Sequence, residues 1–277
     1  MDPLSKDVAF RFLKDIAADL GKGDVTFPTF SAATVRVRSA LEDPELSADQ
    51  LARVVSREPL LSAKLVRLAN SAALNPGGRP VNDVRSAVIR VGHSAVRTVA
   101  VAVAMDQLRG DRELRPFRDR AEAAWRHSVH VAALAHVIAS LGPRINAEEA
   151  LFAGLVHDIG YFYLLSRAPR YPELEGHPEV LGSVLAEWHP AIGRAVLHNF
   201  ALSDAVMDAV AEHESAECHL PPRHLADVIT IANTVAAKTN PARAAGDAEP
   251  VLDAPDLLHL LAQHKSEIDS VIAALRG

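Results

Sequence analysis

The sequence has a single cysteine, few aromatic residues and no long apolar run. The single cysteine, Cys218, excludes an intramolecular disulfide and a zinc site built from several cysteines, so we expect a cytoplasmic protein. The longest apolar run, from Val99 to Met105, is far shorter than the roughly 20 residues that cross a bilayer. The N-terminus has acidic residues within its apolar spacing, and the sequence therefore predicts neither a secretory signal nor a membrane anchor.

The chain also lacks an excess of positive charge. Its 35 acidic residues outnumber its 29 lysines and arginines, which argues against a broad surface for nucleic acid or anionic lipid. We expect neither as a partner. The N-terminal half does place several cations on successive predicted helices. A solvated face is the simpler interpretation, but if they converge they would form a patch for an acidic partner or a nucleotide. They are Arg53, Arg57, Lys64, Arg67, Arg85, Arg90 and Arg97.

Apolar residues make up 49% of the chain and aromatic residues only 5%, with alanine, leucine and valine dominant. This balance favours packed helices over sandwiches or barrels. Ser47 and Gln50 have the spacing of a capping box, and Pro59 suits the first position of the next helix. The alternating run at residues 99–105 also fits a strand, but we predict a helix because no neighbouring segment offers a strand to pair with. The predicted fold class is all-α.

A charged stretch at residues 108–120 separates two predicted helical parts. It predicts a boundary between an N-terminal helical subdomain, residues 1–113, and a C-terminal helical subdomain, residues 114–277. A solvated connection between two helices is an equally good interpretation of such a stretch. In the C-terminal part the periodicity of apolar residues predicts several helical segments. Three of them lie at about residues 177–188, 190–199 and 203–213.

Four histidines and one aspartate stand out from the 13 histidines of the chain. His127 lies within a predicted helix, His157 and Asp158 end the next one, His189 begins another, and His213 ends one more. Helical bundles build metal sites from side chains that project inward from facing helices. Imidazole nitrogen and carboxylate oxygen suit Fe, Mn, Ni or Zn, and such an ion would activate a water against a phosphate ester. From spacing alone, chance placement on helix surfaces is the alternative.

The order of these five residues, with Glu214 directly after the last, resembles the HD superfamily of helical metal-dependent phosphohydrolases. The segments "REPLLSAKLVRLANSA" and "LVHDIG" are similar to the family called HDOD, the HD-related output domain, and the resemblance covers about residues 24–240. It implies one module in which an N-terminal helical part packs on a degenerate HD-like core. Such modules occur mostly in bacterial signalling and regulatory proteins, as outputs or scaffolds without a common reaction. A signalling protein partner is therefore expected.

The resemblance also implies roles for single residues. His127, His157 and Asp158 match the first metal ligands of an active HD site. His189 and His213 match the additional histidines of the cyclic-dinucleotide phosphodiesterase branch called HD-GYP. In an enzyme, Asp158 would also orient the attacking water.

Three departures from the active pattern argue against catalysis. Tyr161 stands where the phosphodiesterase branch has a lysine near the phosphate, and Glu214 stands in place of a second histidine, with no GYP loop after it. Asn233 stands where an active enzyme carries an aspartate, and a neutral amide is a poor ligand for a divalent ion. Asp227 cannot replace it, because a shift of six residues turns it to a different face of the helix.

Two functions from different classes follow. The one we expect is a non-catalytic signalling scaffold whose HD cleft binds a divalent metal, a partner or another ligand. The alternative is a metal-dependent phosphohydrolase acting on a nucleotide or cyclic dinucleotide with a reduced set of ligands.

Overall fold

The computed structural model describes residues 3–22, 32–198, 202–214, 218–239 and 254–276, and the regular structure within these ranges is helical. The prediction of an all-α fold is confirmed. The helices before the charged stretch are α1 (Pro3–Gly21), α2 (Ala32–Leu41), α3 (Ala48–Val55), α4 (Pro59–Ala69) and α5 (Val84–Arg109). Those after it are α6 (Arg118–Ser140), α7 (Ala147–Val156), α8 (Ile159–Arg167), α9 (Glu173–Gly176), α10 (Pro178–Leu197), α11 (Asp204–Glu212), α12 (Leu225–Thr239), α13 (Pro255–Gln263) and α14 (Lys265–Arg276).

The alternating run at residues 99–105 is helical, as predicted, and lies in α5. All seven of its side chains are buried, because α5 contacts α2, α3, α4, α6 and α7. Gly92 has φ 73° and ψ 178°, a backbone conformation that favours glycine, and it divides α5 into two helical stretches. By length and composition α5 would also cross a membrane, but 67% of its most apolar window is buried within the protein, as in a core helix.

The C-terminal part of the chain is organised around α6. This helix contacts α7, α8, α12, α13 and α14, and Trp125 and most of its alanines are buried. His127 therefore lies inside the fold, between elements that are distant in sequence. The boundary predicted between residues 113 and 114 falls in the connection from α5 to α6. The division into two subdomains stays a prediction, and α14 contacts helices from both sides of it.

The three segments predicted between residues 177 and 213 form two helices among the described residues. Residue 199, the predicted end of the second segment, lies outside the described residues. Helix α10 runs without interruption to Leu197 and contains Pro190. His189 therefore lies within a helix and not at its start. Proline lacks the N–H that would bond the carbonyl of Ala186, four residues earlier. The imidazole Nδ1 of His189 lies 3.2 Å from that carbonyl oxygen and donates to it. The helix continues because a side chain replaces the missing backbone donor.

The expectation that Lys64 lies on a solvated basic face is wrong. Lys64 is buried, and its Nζ donates to the carbonyl oxygen of Leu275 at 2.6 Å and lies 3.4 Å from the carboxylate of Asp106. Burial lowers the pKa of Lys64, against the effect of Asp106. The lysine thus joins α4 to α5 and to the end of α14.

The cations that do converge, in α3, directly after it and in α5, are accompanied by carboxylates. Arg53, Arg57 and Arg85 line one cleft together with Asp49 and Asp83. Arg85 bonds Asp49 at 2.6 Å. The cleft is therefore mixed in charge and is not a purely basic patch.

Asp227 organises the connection between α11 and α12. Its carboxylate accepts backbone N–H bonds from His219, Arg223 and His224 at 2.8–3.0 Å. Burial raises the pKa of Asp227, but these bonds outweigh burial and lower the pKa to about 2. Asp227 thus has a structural role, in agreement with its expected absence from the site.

Replacing Asp227 with asparagine is expected to lower the free energy of unfolding by about 2 kcal/mol at neutral pH. The folded-state pKa lies below that of the unfolded chain, so this contribution is present above about pH 4 and disappears as the pH falls toward about 2. Urea unfolding of the wild type and the variant, at about pH 7 and about pH 3, measures the difference. Asp256→Asn, at an exposed position, is the control. An equal difference at both pH values would contradict the assignment.

Candidate metal centre

The five residues predicted from the sequence come together at one buried place. Ligand atoms of His127, His157 and Asp158 lie within 4.8 Å of one another, and so do those of Asp158, His189 and His213. All five side chains are buried, with His157 and His213 at 0% and 1% exposure. Asp158 belongs to both groups and is their shared member. The structure therefore joins α6, α10 and the ends of α7 and α11 at one cluster.

Two of the histidines are oriented by helix ends. His157 and His213 follow the last residues of α7 and α11, and the Nδ1 of each lies 2.7 Å from a backbone oxygen, that of Gly154 and that of Val210. These carbonyls belong to the last turns, where a helix leaves acceptors without an intrahelical donor. A carbonyl oxygen only accepts, so Nδ1 carries the hydrogen in both rings. In the neutral ring, Nε2 then has a free lone pair.

His189 has the same tautomer for a related reason. Its Nδ1 donates to the carbonyl of Leu185 at 2.8 Å and to that of Ala186, the carbonyl that Pro190 leaves without its usual donor. The proline therefore does more than interrupt a hydrogen-bond ladder, because it supplies an acceptor that fixes the imidazole. Three Nε2 atoms from three helices are thus directed toward one carboxylate, that of Asp158.

The Nε2 atoms meet at Asp158. They lie 3.4 Å (His157), 3.3 Å (His189) and 3.5 Å (His213) from its carboxylate oxygens, and those of His189 and His213 are 3.0 Å apart. Two lone pairs at that distance repel unless a proton or a cation lies between them. The Nε2 of His157 is buried without a hydrogen-bond partner.

These separations suit a bound divalent ion. Bonds of about 2.0–2.1 Å in a tetrahedral site place neighbouring ligand atoms about 3.3 Å apart. His189, His213 and Oδ1 of Asp158 have these separations, and His157 lies beside Oδ2 of the same carboxylate. Imidazole nitrogens and a carboxylate are a donor set for Zn, Fe, Mn or Ni. The residues present therefore fit a metal ion of this class.

The charges of the cluster point the same way. Burial raises the pKa of Asp158, but His157, His213 and His189 outweigh burial and hold the pKa well below its usual value. Burial lowers the pKa of His189, against the effect of Asp158. Burial lowers the pKa of His157, but Asp158 outweighs burial and raises it above its usual value. The cluster thus contains an ionised carboxylate, a histidine that this carboxylate favours in the protonated form, and His189, which burial favours in the neutral form with its Nε2 lone pair available.

His127 is brought to the cluster but is engaged by Asn233. The Nδ2 of Asn233 donates to the backbone oxygen of His213 and to Oε1 of Glu214, both at 3.3 Å, and this turns its Oδ1 toward His127. The Nε2 of His127 lies 2.7 Å from that Oδ1 and donates to it. A nitrogen that carries this hydrogen cannot bind a metal at the same time. A ligand role for His127 stays a prediction, and binding through Nε2 requires the bond to Asn233 to break.

A close helix crossing sets the distance between Asp158 and His189. At Gly160, directly after the "HDI" sequence, a Cβ atom would clash with the backbone oxygen of His189 and lie 2.9 Å from the Cα of Gly193. Because α8 and α10 touch through these two glycines, Asp158 at the start of α8 reaches the imidazole on α10. The glycine of "HDIG" is therefore required by packing.

Two charged residues near the cluster were not predicted to belong to it. Oε1 of Glu214 lies 3.6 Å from Nε2 of His213 and 3.8 Å from Nε2 of His189. Arg120 donates to the backbone oxygen of Pro178 at 2.8 Å and hydrogen-bonds Tyr161, whose ring contacts that of His189. The sequence signal for Arg120 is its position seven residues before His127, two turns earlier on the same face. Arg120 therefore places a cation beside Tyr161. The sequence had predicted no cation there, because Tyr161 replaces the lysine of the phosphodiesterase branch.

The fold and the cluster define a helical HD-like protein, and a comparison with protein families specifies it further. The model of the HDOD domain family matches residues 27–216. This match covers more than half of the sequence, and the chain belongs to the HDOD domain family.

Solved structures share the fold along nearly the whole chain. A Shewanella amazonensis SB2B protein, provisionally named a metal-dependent phosphohydrolase, is 24% identical with a TM-score of 0.73, covering 97% of this chain and 99% of its own. An HDOD domain protein of unknown function from Geobacter sulfurreducens is 20% identical with a TM-score of 0.60, covering 94% and 96%. A Marinobacter aquaeolei VT8 protein, provisionally named for signal transduction, is 20% identical with a TM-score of 0.60, covering 97% and 65%. Such identities show the fold alone.

A curated relative is longer than this chain. An uncharacterized protein of Treponema pallidum (strain Nichols) is 22% identical over an alignment of 227 residues, and the match covers 78% of this chain and 43% of that protein. The chain thus spans less than half the length of this relative.

Replacing Gly160 with alanine is expected to lower the free energy of unfolding by at least about 3 kcal/mol, because a Cβ here meets backbone and not a flexible side chain. Urea or thermal unfolding measures the loss. Gly142→Ala is the matched control, since a Cβ there has nothing within 4 Å. If both alanine variants proved equally stable, the close crossing of α8 and α10 would be incorrect.

Proposed function

We propose that this protein is a regulatory HDOD scaffold whose cleft binds a divalent metal ion, Fe, Mn, Ni or Zn, and works without turnover. The observation that carries the proposal is the convergence of three imidazole Nε2 atoms on one ionised carboxylate. His157, Asp158, His189 and His213 would hold the ion. His127 would complete the predicted five through Nε2 by giving up its bond to Asn233.

A metal held in this way would stabilise the helical scaffold. The residues come from the ends of α7 and α11, the start of α8 and the middle of α10, so one ion would cross-link four helical elements. Ligands deprotonated at neutral pH couple metal binding to the stability of the fold. When bound, the ion would also supply a Lewis acid that polarises an oxygen ligand. The chain's own residues favour holding the ion over turnover, because Asn233 occupies His127 with a neutral hydrogen bond.

The partner in this proposal is a signalling protein, and the location is the cytoplasm. Both follow from the usual role of HDOD modules in bacterial signalling, and the name of the Marinobacter protein with the same fold agrees with it. A nucleotide is the alternative ligand. Arg120 hydrogen-bonds Tyr161, whose ring lies beside that of His189, so an anionic group and a metal would be held in the same region.

The first test is the metal content of protein purified without a histidine tag. We expect close to one Fe, Mn, Ni or Zn ion per chain in the wild type and its loss in His157→Ala, because the Nε2 of His157 is buried 3.4 Å from the carboxylate of Asp158. His136→Ala is the matched control, since His136 is also buried but bonds the backbone of Ala147 outside the cluster.

Circular dichroism of each variant shows whether it is folded, and His189→Gln gives a second test that preserves polarity. A folded wild type that contains no metal and takes up none of these four ions would refute the proposed site. Equal loss of metal in the His136 control would show that the effect is not specific to the cluster.

The second candidate function is a metal-dependent phosphohydrolase. Two observations favour it: Arg120 places a cation beside Tyr161, and the Shewanella protein of the same fold is provisionally named for this activity. In this alternative Asp158 would orient a water and Arg120 would hold an anionic oxygen of a nucleotide or cyclic dinucleotide.

Turnover distinguishes the two functions. The scaffold proposal predicts that wild type supplied with each of the four metals hydrolyses phosphate monoesters, diesters and cyclic dinucleotides no faster than Asp158→Asn. If the wild type hydrolyses one of these substrates and a folded Asp158→Asn variant does not, the protein is a phosphohydrolase and the scaffold proposal is wrong.

A further inference from the structure

We infer that Glu214 is a further metal ligand, held in place by Asn233; this inference rests on the proposed metal site. Glu214 directly follows His213 at the end of α11. Its Oε1 lies 3.6 Å from Nε2 of His213 and 3.8 Å from Nε2 of His189. The same two nitrogens lie 3.5 Å and 3.3 Å from Oδ1 of Asp158. Two carboxylates therefore flank one pair of imidazoles, at separations close to those of ligands around one ion.

The two carboxylates differ in their access to solvent. The side chain of Asp158 is 12% exposed and that of Glu214 is 36% exposed. Asp158 thus closes the inner side of the cluster, and Glu214 lies at its open side. A carboxylate at the open side would complete the ligands of an ion on the side that faces solvent.

Charge balance gives the second argument. A divalent ion held by neutral imidazoles and one carboxylate keeps a net charge of about +1 in a largely buried site, and uncompensated buried charge is costly. Glu214 supplies the second negative charge that balances the ion. Among the described residues around the pair, Asp158 and Glu214 are the carboxylates that lie within 4 Å of Nε2 of His189 or His213.

Asn233 acts as a positioning residue for this carboxylate. Its Nδ2 donates to Oε1 of Glu214 at 3.3 Å and to the backbone oxygen of His213 at the same distance. The amide therefore lies next to the glutamate oxygen that faces the two imidazoles. An aspartate at position 233 would repel an ionised Glu214. With a neutral glutamine at position 214, the aspartate carboxylate would lie close to the present position of the glutamate oxygen.

This geometry predicts a rescue. Glu214→Gln is expected to weaken Zn²⁺ binding by about tenfold or more, as removal of a ligating or orienting group does. Adding Asn233→Asp to that variant is expected to restore most of the affinity, because the negative charge returns next to the position of the glutamate oxygen Oε1. Glu212→Gln, an exposed position at the end of the same helix, is the matched control and is expected to bind like the wild type.

The experiment is a Zn²⁺ competition titration with a chelating dye on the full chain, with the visible absorption spectrum of bound Co²⁺ as a second readout of the ligands. A changed Co²⁺ spectrum in Glu214→Gln, together with weaker Zn²⁺ binding and recovery in the double variant, supports the inference. Wild-type affinity and spectrum in Glu214→Gln would overturn it and leave the metal site intact. A wild type that binds no Zn²⁺ or Co²⁺ would overturn the proposed function itself.

Discussion

The hydrogen bonds from three imidazole Nδ1 atoms to backbone carbonyls determine what the cluster can do. They tie the rings of His157, His189 and His213 to the backbone, so that Nε2 of each ring has to face Asp158. Because the rings cannot rotate to other partners without losing these bonds, their Nε2 atoms converge on a buried carboxylate. Such an arrangement requires a proton or a cation between its members. The metal-binding proposal follows from this constraint more directly than from the identity of the residues.

The same constraint explains why the surrounding sequence is unusual. Pro190 is tolerated inside α10 because its cost is offset by a bond from His189 that also orients the ring. Gly160 and Gly193 allow α8 and α10 to touch, and without that contact Asp158 would not reach His189. Features that sequence reasoning treats as helix breakers thus act here as the supports of a site. Asn233 belongs to this set as well, since it bonds His127 on one side and Glu214 on the other.

Much of the fold and the approximate composition of the site were predictable from the sequence. The apolar periodicity and the capping residues indicated helices, and the capping box at Ser47 and Gln50 is present in the structure. The five candidate residues were found because their order resembles a known pattern, and the structure places them together. Periodicity reports on the faces of one helix at a time and carries no distances between helices. For this reason the sequence did not predict the burial of Lys64 by α14, nor the position of Glu214 next to two imidazoles.

The sequence did not predict that α10 continues through Pro190, and the reason is different. A proline usually ends or kinks a helix, and that rule ignores side chains that bond the freed carbonyl. Here the preceding residue supplies that bond, which depends on the rotamer of His189 and not on its identity alone. The arginine beside Tyr161 is a similar case, because a helical spacing of seven residues is compatible with many contacts and specifies none of them.

The most direct test of this account is the tautomeric state of the histidines. Long-range proton–nitrogen NMR of protein labelled with nitrogen-15 histidine distinguishes Nδ1–H from Nε2–H rings, and the variants of each histidine assign the signals. The account predicts that His157, His189 and His213 carry hydrogen on Nδ1, and that added Zn²⁺ shifts their three Nε2 signals together while His136 is unaffected. Hydrogen on Nε2 in two or more of these rings, with signals that do not respond to any divalent ion, would contradict it.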